Sequence, residues 1–114
     1  MAKQQNITIS PGSTPGTFTI DPVPDIDMRH QGKGVIQWDI TTPGWNFANT
    51  NGIAFNTNAD QMDNTPGQIP GQLNRWQATD LKTNQTESRV KYSINAVGPK
   101  GATATLDPTI VNGS

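Results

Sequence analysis

The strongest constraint on the fold of this sequence is the alternation of apolar and polar residues over residues 89–106. Four apolar side chains fall on one face of an extended chain: Val90, Tyr92, Ile94 and Ala96. Glycine and proline at residues 98–101 then form a turn, and alanine or leucine alternates with threonine over residues 102–106. A period of two is typical of a strand with one side in the core and the other in solvent. This segment therefore predicts a β-hairpin, and its inward face places Tyr92 and Ile94 in the core.

Composition extends this prediction to the rest of the chain. The 114 residues include 11 glycines and 9 prolines, and only 32% of them are hydrophobic. Glycine and proline favour turns and interrupt helices, and the abundant threonine favours strands. The length is close to the commonest size of a domain, so we expect residues 1–114 to form a single domain of short strands.

A second alternating segment, residues 34–40, predicts a core strand. Ile36, Trp38 and Ile40 share its apolar face, and we expect Trp38 to lie at the centre of the core. Together with shorter alternating segments elsewhere, the spacing of turns predicts about seven or eight short strands. An all-β, antiparallel β-sandwich fits this pattern best. A small closed barrel is the alternative, because strand patterns do not distinguish two packed sheets from one closed sheet.

The middle of the chain carries two further expectations. Asn51-Gly52 lies between apolar segments at residues 45–48 and 53–55, and an Asn-Gly pair in this setting predicts a tight hairpin turn. Residues 56–71 are polar and show no periodicity, so we expect a long surface loop there.

The predicted closing hairpin resembles the F–G hairpin of immunoglobulin-like and fibronectin type III domains. Tyr92 is followed two positions later by Ile94, and Gly98-Pro99 lies in the turn after it. Trp38, in the sequence VIQWDI, is similar to the buried tryptophan of an early strand in fibronectin type III domains. The cysteine pair of immunoglobulin domains is absent, and Ile94 stands where the second cysteine would be. The resemblance implies an immunoglobulin-like sandwich.

The sequence also resembles a group of small, uncharacterised bacterial β-domain proteins. The shared motifs are GKGVIQWDI at residues 32–40, NGIAF at 51–55, KYSINAVGP at 91–99 and a DPTIVN-type C-terminus at 107–112. The motifs are spread over most of the chain after residue 32. This resemblance implies a shared fold and brings no reaction, ligand or catalytic residue with it.

Charge and cysteine content exclude several classes of partner and chemistry. Eight basic and nine acidic residues give a net charge of −1 without a block of like charges, so we expect no binding to nucleic acid or to a membrane. The absence of cysteine removes disulfides, thiolate zinc sites and thiol nucleophiles. The sequence shows no signal peptide and no apolar stretch long enough to cross a bilayer, which favours a cytoplasmic or virion-type protein.

Few residues suggest chemistry at a site. Asp25, Asp27 and His30 form a short cluster of metal-ligating residue types, although their spacing does not match a calcium-binding loop. The alternative is a solvated edge on which the carboxylates pair with nearby positive charges. His30 is the only histidine and no nucleophile motif is present, so we expect neither an enzyme nor a cofactor.

Trp45 and Trp76 are the candidate ligand-binding residues, because an exposed aromatic face stacks well against a sugar ring. Trp45 lies beside a turn and is the one we expect to be exposed. The competing interpretation is that a core of this size needs most of its aromatic residues. We therefore expect a noncatalytic binding or interaction module that contacts a protein partner through its loops or a sheet edge. The alternatives are a structural subunit that self-assembles or decorates a larger particle, and a carbohydrate-binding module.

Overall fold

The chain forms an all-β sandwich in a computed structural model that describes residues 3–29, 33–81 and 87–113. The described residues contain twelve strands and two single turns of 3₁₀ helix, and no helix among them is long and apolar enough to span a membrane. The strands are β1 (Lys3–Ile7), β2 (Ile9–Pro11), β3 (Phe18–Ile20), β4 (Ile26–Asp27), β5 (Gly34–Ile40), β6 (Asn46–Phe47), β7 (Ile53–Phe55), β8 (Met62–Ile69), β9 (Gln72–Asp80), β10 (Ser88–Val97), β11 (Thr103–Leu106) and β12 (Thr109–Asn112). Their number exceeds the seven or eight expected. Part of the excess comes from β6 with β7 and from β11 with β12, because each pair consists of two short segments that lie along the same side of β10.

The first sheet has the strand order β1-β5-β9-β8. β5 and β9 pair antiparallel, with Trp38 opposite Trp76, and β9 pairs antiparallel with β8 through the turn that contains Gly71. β1 pairs with β5 in parallel, with Ile7 opposite Ile40, and β4 pairs in parallel with β12. The sandwich is therefore mixed rather than wholly antiparallel as expected. Side chains alternate in the same way in both kinds of pairing, so the sequence pattern carries no information about strand direction.

β10 is the centre of the second sheet, and β11 and β12 pair with it in one continuous register. The outermost pairs of this register are Val97 with Thr103 and Ser88 with Asn112. The backbone N–H of Tyr92 donates to the carbonyl of Pro108 at 3.1 Å, so the break at Asp107-Pro108 interrupts the strand without shifting the register. Ile110 and Val111 are 0% and 5% exposed. The end of the chain is therefore a core strand that completes the hairpin.

β6 and β7 both pair with the other side of β10, and they do not pair with each other. Ala48 N donates to Asn95 O at 2.9 Å, and Asn95 N donates to Gly52 O at 2.8 Å. Residues 48–52 thus leave the edge of β10 and rejoin it around Asn95. The hairpin turn predicted at Asn51-Gly52 is wrong, because both flanking segments run in the same direction along one strand.

Gly52 is needed for packing rather than for a tight turn. A Cβ atom at this position would lie 2.6 Å from Phe47 Cβ and 2.8 Å from Trp76 Cζ3, which is too close for any side chain. Its φ angle is not among the positive values found at other glycines of the described chain. An Asn-Gly pair therefore has a second meaning here, a close approach of backbone to two aromatic side chains.

The long loop expected at residues 56–71 is also wrong, because half of it forms the edge strand β8. The larger apolar side chains of this strand, Met62 and Ile69, lie at its two ends, and Pro66 lies between them. The pairing with β9 shifts register twice along its length. An edge strand tolerates proline and irregular pairing, and such a strand lacks the regular alternation by which strands are predicted.

The five core residues predicted from alternation are at most 1% exposed: Ile36, Trp38, Ile40, Tyr92 and Ile94. Trp38 belongs to the first sheet and Tyr92 to the second. Trp38 Nε1 donates to the Tyr92 hydroxyl at 3.2 Å, and the centroids of the two rings are 5.5 Å apart. This contact joins the two sheets at the centre of the sandwich.

Candidate functional site

The structure pairs each described carboxylate of the predicted metal cluster with an arginine. Arg29 Nη2 lies 2.9 Å from Asp27 Oδ2, and Arg89 Nη1 lies 3.4 Å from Asp25 Oδ2. His30 lies outside the described residues. Within the described ranges, no grouping of three or more His, Cys, Asp or Glu side chains could hold a metal ion. The arrangement is that of the charged edge considered as the alternative.

These charges form a chain of ion pairs from β4 to β10. Glu87 joins the two arginines, at 3.0 Å from Arg29 and 3.8 Å from Arg89. The side-chain hydrogen bond from Arg29 holds the pKa of Asp27 far below its usual range. All the side chains in this chain are between 41% and 57% exposed, so each pair adds little to stability.

Trp76, one of the two candidate ligand-binding tryptophans, is a core residue. Trp76 is only 3% exposed, and its Nε1 donates to Asn64 Oδ1 at 2.7 Å. Its ring packs edge-on against Phe47, with the centroids 5.8 Å apart. The polar atom of the indole is thus satisfied inside the protein, and no face is left for a ligand.

Trp45 is also mostly buried, at 5% exposure, so the prediction that it presents an open aromatic face to a sugar is wrong. The backbone of Gly98 lies directly against the indole, and a Cβ atom there would be 2.5 Å from Trp45 Cε2. Phe18 packs edge-on against the same ring, with the centroids 5.1 Å apart. A position beside a turn therefore did not expose Trp45, because a second turn packs over it.

What remains accessible of Trp45 lines a cleft of about 620 Å³, called the turn cleft below. The lining residues are Gly16, Phe18, Trp45, Pro99, Lys100, Gly101 and Ala102. They come from three places in the chain: the region of the β2–β3 connection, the connection before β6, and the β10–β11 connection. Three connections that are distant in sequence thus meet at one end of the sandwich.

Hydrogen bonds and glycine conformations shape the β10–β11 connection. Gly98 N donates to Ala102 O at 2.8 Å, and Ala102 N donates to Pro99 O at 3.1 Å. Lys100 has a left-handed backbone with φ of 58°, and Gly101 follows with φ of 76°. A left-handed conformation costs a residue with a side chain roughly 1–2 kcal/mol. The tight turn places Lys100 in the lining of the turn cleft.

Among the described residues, the side chains that line the turn cleft offer hydrogen-bond donors and no acceptor. Its two polar side chains are the indole of Trp45 and the ammonium group of Lys100. Among the described residues Trp45 Nε1 has no hydrogen-bond partner, whereas the indole nitrogens of Trp38 and Trp76 donate at 3.2 Å and 2.7 Å. Lys100 has no ion-pair partner in the described part of the chain. An apolar cleft with two available donors suits a ligand that accepts hydrogen bonds.

A second polar arrangement covers the outer face of the first sheet. Gln77 donates to Gln37 at 2.6 Å, Gln37 donates to Gln4 at 3.0 Å, and Arg75 Nε donates to Asp39 at 2.8 Å. Partial burial raises the pKa of Asp39, but hydrogen bonds from Arg75, Gln37 and Gln4 outweigh burial and hold it below its usual value. These groups bind one another across neighbouring strands, which indicates a role in holding the sheet together.

A third polar group lies at the end of β10 away from the turn cleft. Gln61 donates to Ser88 Oγ at 3.1 Å and accepts from Asn112 Nδ2 at 2.9 Å. Asn112 Oδ1 is buried and has no hydrogen-bond partner among the described residues. The group ties the end of β12 to the turn before β8.

Sequence reasoning identified Trp45 as a candidate but not its neighbours. Phe18 was not singled out, and Pro99 and Lys100 entered only as part of the turn predicted at residues 98–101. Periodicity describes which side of one strand is buried, and it does not indicate which connections meet in space.

Comparison with protein families and with curated proteins provides no relative from which to transfer a function. No protein-family model matches the sequence, and no curated protein matches it significantly. Function is therefore inferred from the fold and from the turn cleft.

Proposed function

We propose that this protein is a noncatalytic, immunoglobulin-like interaction module that binds an extended segment of a partner protein in the turn cleft. The observation that carries the proposal is the indole N–H of Trp45, which belongs to a nearly buried ring in the cleft lining and has no partner among the described residues. Trp45 Nε1 is not among the buried unpaired atoms of the described chain, so it is accessible to a partner that supplies an acceptor.

The order of strand pairing supports the immunoglobulin-like part of the proposal. β9 lies between β5 and β8 in one sheet, and β10 lies between β11 and the β6 and β7 segments in the other. Strands B-E-D and C-F-G of immunoglobulin domains pair in this order. The connections before β6 and after β10 then correspond to the B–C and F–G loops, which lie at the binding end of variable domains. β1 departs from that pattern, because it pairs in parallel with β5.

The size and lining of the turn cleft favour a peptide over a sugar. Its volume of about 620 Å³ lies within the usual range of ligand pockets. An extended peptide presents backbone carbonyl groups, which accept from donors such as those of Trp45 and Lys100. Sugar hydroxyl groups also donate, and the lining side chains offer them no acceptor. Carbohydrate binding is therefore the weaker alternative.

Self-assembly is the second candidate function, and the edge strand β1 favours it. β1 is the outermost strand of its sheet, and Ile7 is its only fully buried residue. The free backbone groups of an edge strand pair readily with another chain. Sedimentation velocity at increasing protein concentration tests this candidate. A mass that rises toward a dimer supports it, and a constant monomer mass up to about 1 mM refutes it, since even weak self-association of millimolar dissociation constant is visible there.

The three indole N–H signals in an NMR spectrum provide the test of the cleft proposal. We expect peptides selected from a random display library to shift the Trp45 signal and to leave those of Trp38 and Trp76 nearly unchanged. Lys100→Glu should weaken binding of the selected peptides, and Lys91→Glu is the matched control, because Lys91 is an exposed lysine of β10 outside the cleft lining. A library that yields no binder, or binders that leave Trp45 unshifted, would refute the proposal.

A further inference from the structure

We infer that the segment bound in the turn cleft is an acidic, proline-containing stretch in the polyproline II conformation, with a carboxylate beside its prolines. The inference rests on the proposed binding function and adds the chemistry of the ligand. Three properties of the cleft support it: the imbalance of donors and acceptors, the apolar walls and the local charge.

The imbalance of donors and acceptors favours proline. The lining side chains supply the N–H of Trp45 and the ammonium of Lys100, and two of the seven lining backbone carbonyls, those of Pro99 and Ala102, already accept from Ala102 N and Gly98 N. An ordinary ligand residue brings a backbone N–H that finds no side-chain acceptor here, and a donor that loses water on binding without gaining a partner is costly. Proline has no N–H to satisfy. A polyproline II segment also keeps its carbonyl groups free of internal hydrogen bonds, so one is available to Trp45 Nε1.

The walls of the cleft suit the same ligand. Phe18 and Trp45 meet edge to face at 5.1 Å, and Pro99 and Ala102 complete the apolar part of the lining. Grooves lined by aromatic residues are the usual receptors for polyproline II segments. Such segments are extended before they bind, so they lose less conformational entropy than a flexible peptide.

The charge of the cleft predicts the carboxylate. Lys100 is exposed, and among the described residues it is the only charged one in the lining and has no ion-pair partner. The protein as a whole carries a net charge of −1, so it does not attract acidic peptides through its overall field. Any preference for an acidic ligand must therefore arise locally, from Lys100.

Three blocked six-residue peptides test the inference: Ala-Pro-Ala-Pro-Asp-Ala, the same peptide with Asn in place of Asp, and the same peptide with Ala in place of both prolines. Affinity is measured by titration of the Trp45 indole signal. We expect the Asn peptide to bind about 3- to 5-fold more weakly, which is the effect of one exposed ion pair. We expect the peptide without proline to bind at least about 10-fold more weakly, because it brings two more backbone donors for which the lining has no side-chain acceptor.

Variants of the protein assign these differences to residues. Lys100→Ala should abolish the preference for Asp over Asn, whereas the matched control Lys91→Ala should keep it. Trp45→Phe retains an aromatic ring and removes the N–H, so it should weaken the Asp peptide and leave a preference for Asp. Because this variant lacks the Trp45 indole signal, its affinity is measured from the backbone amide signal of Gly101, which also lines the cleft. Thermal melting of each variant verifies that it is folded, so a loss of binding is not a loss of structure.

The possible failures are distinguishable. Equal binding of the Asp and Asn peptides, or a difference that survives in Lys100→Ala, overturns the acidic part of the inference. Equal binding with and without proline overturns the proline part. If none of the three peptides binds while library peptides still shift the Trp45 signal, the inference fails and the proposed function stands. If no library peptide reaches Trp45, both fail.

Discussion

Replacing Tyr92 with phenylalanine tests the contact that joins the two sheets. Trp38 and Tyr92 are both 0% exposed, and their hydrogen bond of 3.2 Å links the first sheet to the second. Phenylalanine keeps the ring and removes only the hydroxyl group, so the main effect is to leave the indole N–H of Trp38 without this acceptor. A buried donor left unpaired costs about 1–3 kcal/mol. We therefore expect Tyr92→Phe to lower the free energy of unfolding by about 2 kcal/mol.

Urea unfolding followed by tryptophan fluorescence measures this loss. Unfolding entropy is about 2.1 cal/mol/K per residue, or roughly 0.24 kcal/mol/K for 114 residues, so a loss of about 2 kcal/mol lowers Tm by about 8 °C. A double-mutant cycle with Trp38→Phe separates the hydrogen bond from the change in packing, and we expect a coupling energy of at least about 0.5 kcal/mol. A loss below about 0.5 kcal/mol for Tyr92→Phe, together with no coupling, would refute this reasoning.

The same tyrosine gives stability a dependence on alkaline pH. Burial raises the pKa of Tyr92 far above its ordinary value of about 10, and the hydrogen bond from Trp38 only partly opposes burial. The stability that the un-ionised Tyr92 hydroxyl provides is therefore complete below about pH 10 and is lost as pH rises above it, because the tyrosine of the unfolded chain ionises first. Tyr92 is the only tyrosine, so its ultraviolet absorbance is measurable without interference from another. We expect the folded protein to show no tyrosinate at about pH 11, and reversible ionisation near pH 10 without unfolding would contradict this.

Three further changes test other parts of the structure. The fold lowers the pKa of Asp39, so the stability that its ionised carboxylate provides should be complete above about pH 4 and disappear as pH falls. In urea titrations the wild type should therefore lose more stability between about pH 5 and about pH 3 than Asp39→Asn does. Equal losses would contradict the assignment. Gly98→Ala should cost about 1–3 kcal/mol and move the indole signal of Trp45, since the added Cβ atom has no room beside that ring, and an unchanged Tm would show that the turn adapts freely. Ile110→Ala should cost about 2–5 kcal/mol, against less than about 1 kcal/mol for Val97→Ala, which is 38% exposed; equally small losses would show that β12 is not part of the core.

The parts of the fold that the sequence predicts well are those in which local signals agree. In the closing hairpin, the alternation through Tyr92 and Ile94 ends at a turn rich in glycine and proline, and the structure has a hairpin there. The alternation around Trp38 likewise predicted a core strand, and β5 is one. Alternation reports burial directly, because successive side chains of a strand face opposite sides.

The errors arise where one residue type serves two purposes. Asn51-Gly52 matched the pattern of a hairpin turn, but Gly52 is required by the approach of Phe47 and Trp76. The polar, aperiodic segment that contains Pro66 was expected to be a loop, but Pro66 lies in an edge strand, where its missing N–H is tolerated. Neither distinction is visible without knowing which strands are neighbours.

The candidate site could be predicted only in part for a related reason. Trp45 was recognised as a possible ligand residue, yet its burial depends on Gly98 and Phe18, which belong to distant connections. A binding site made of several connections is a property of the whole topology, whereas sequence patterns describe one element at a time. The charged edge was easier, because Asp27 and Arg29 are near neighbours in the chain.

At residues 48–52 the chain leaves β10 and then returns to it, so the number of residues in this excursion can change without shifting the register of the flanking strands. β6 and β7 pair with the same strand, so Phe47 and Ile53 are each fixed by β10 rather than by the residues between them. Residues 49–51 are exposed, and lengthening such a segment costs only fractions of a kcal/mol in loop-closure entropy, roughly 0.6 kcal/mol for each doubling. Insertions can therefore accumulate here during evolution without disturbing the core or the pairing of β11 and β12 with the other edge of β10. For the same reason this excursion is the natural point at which to graft a foreign epitope or a fluorescent tag.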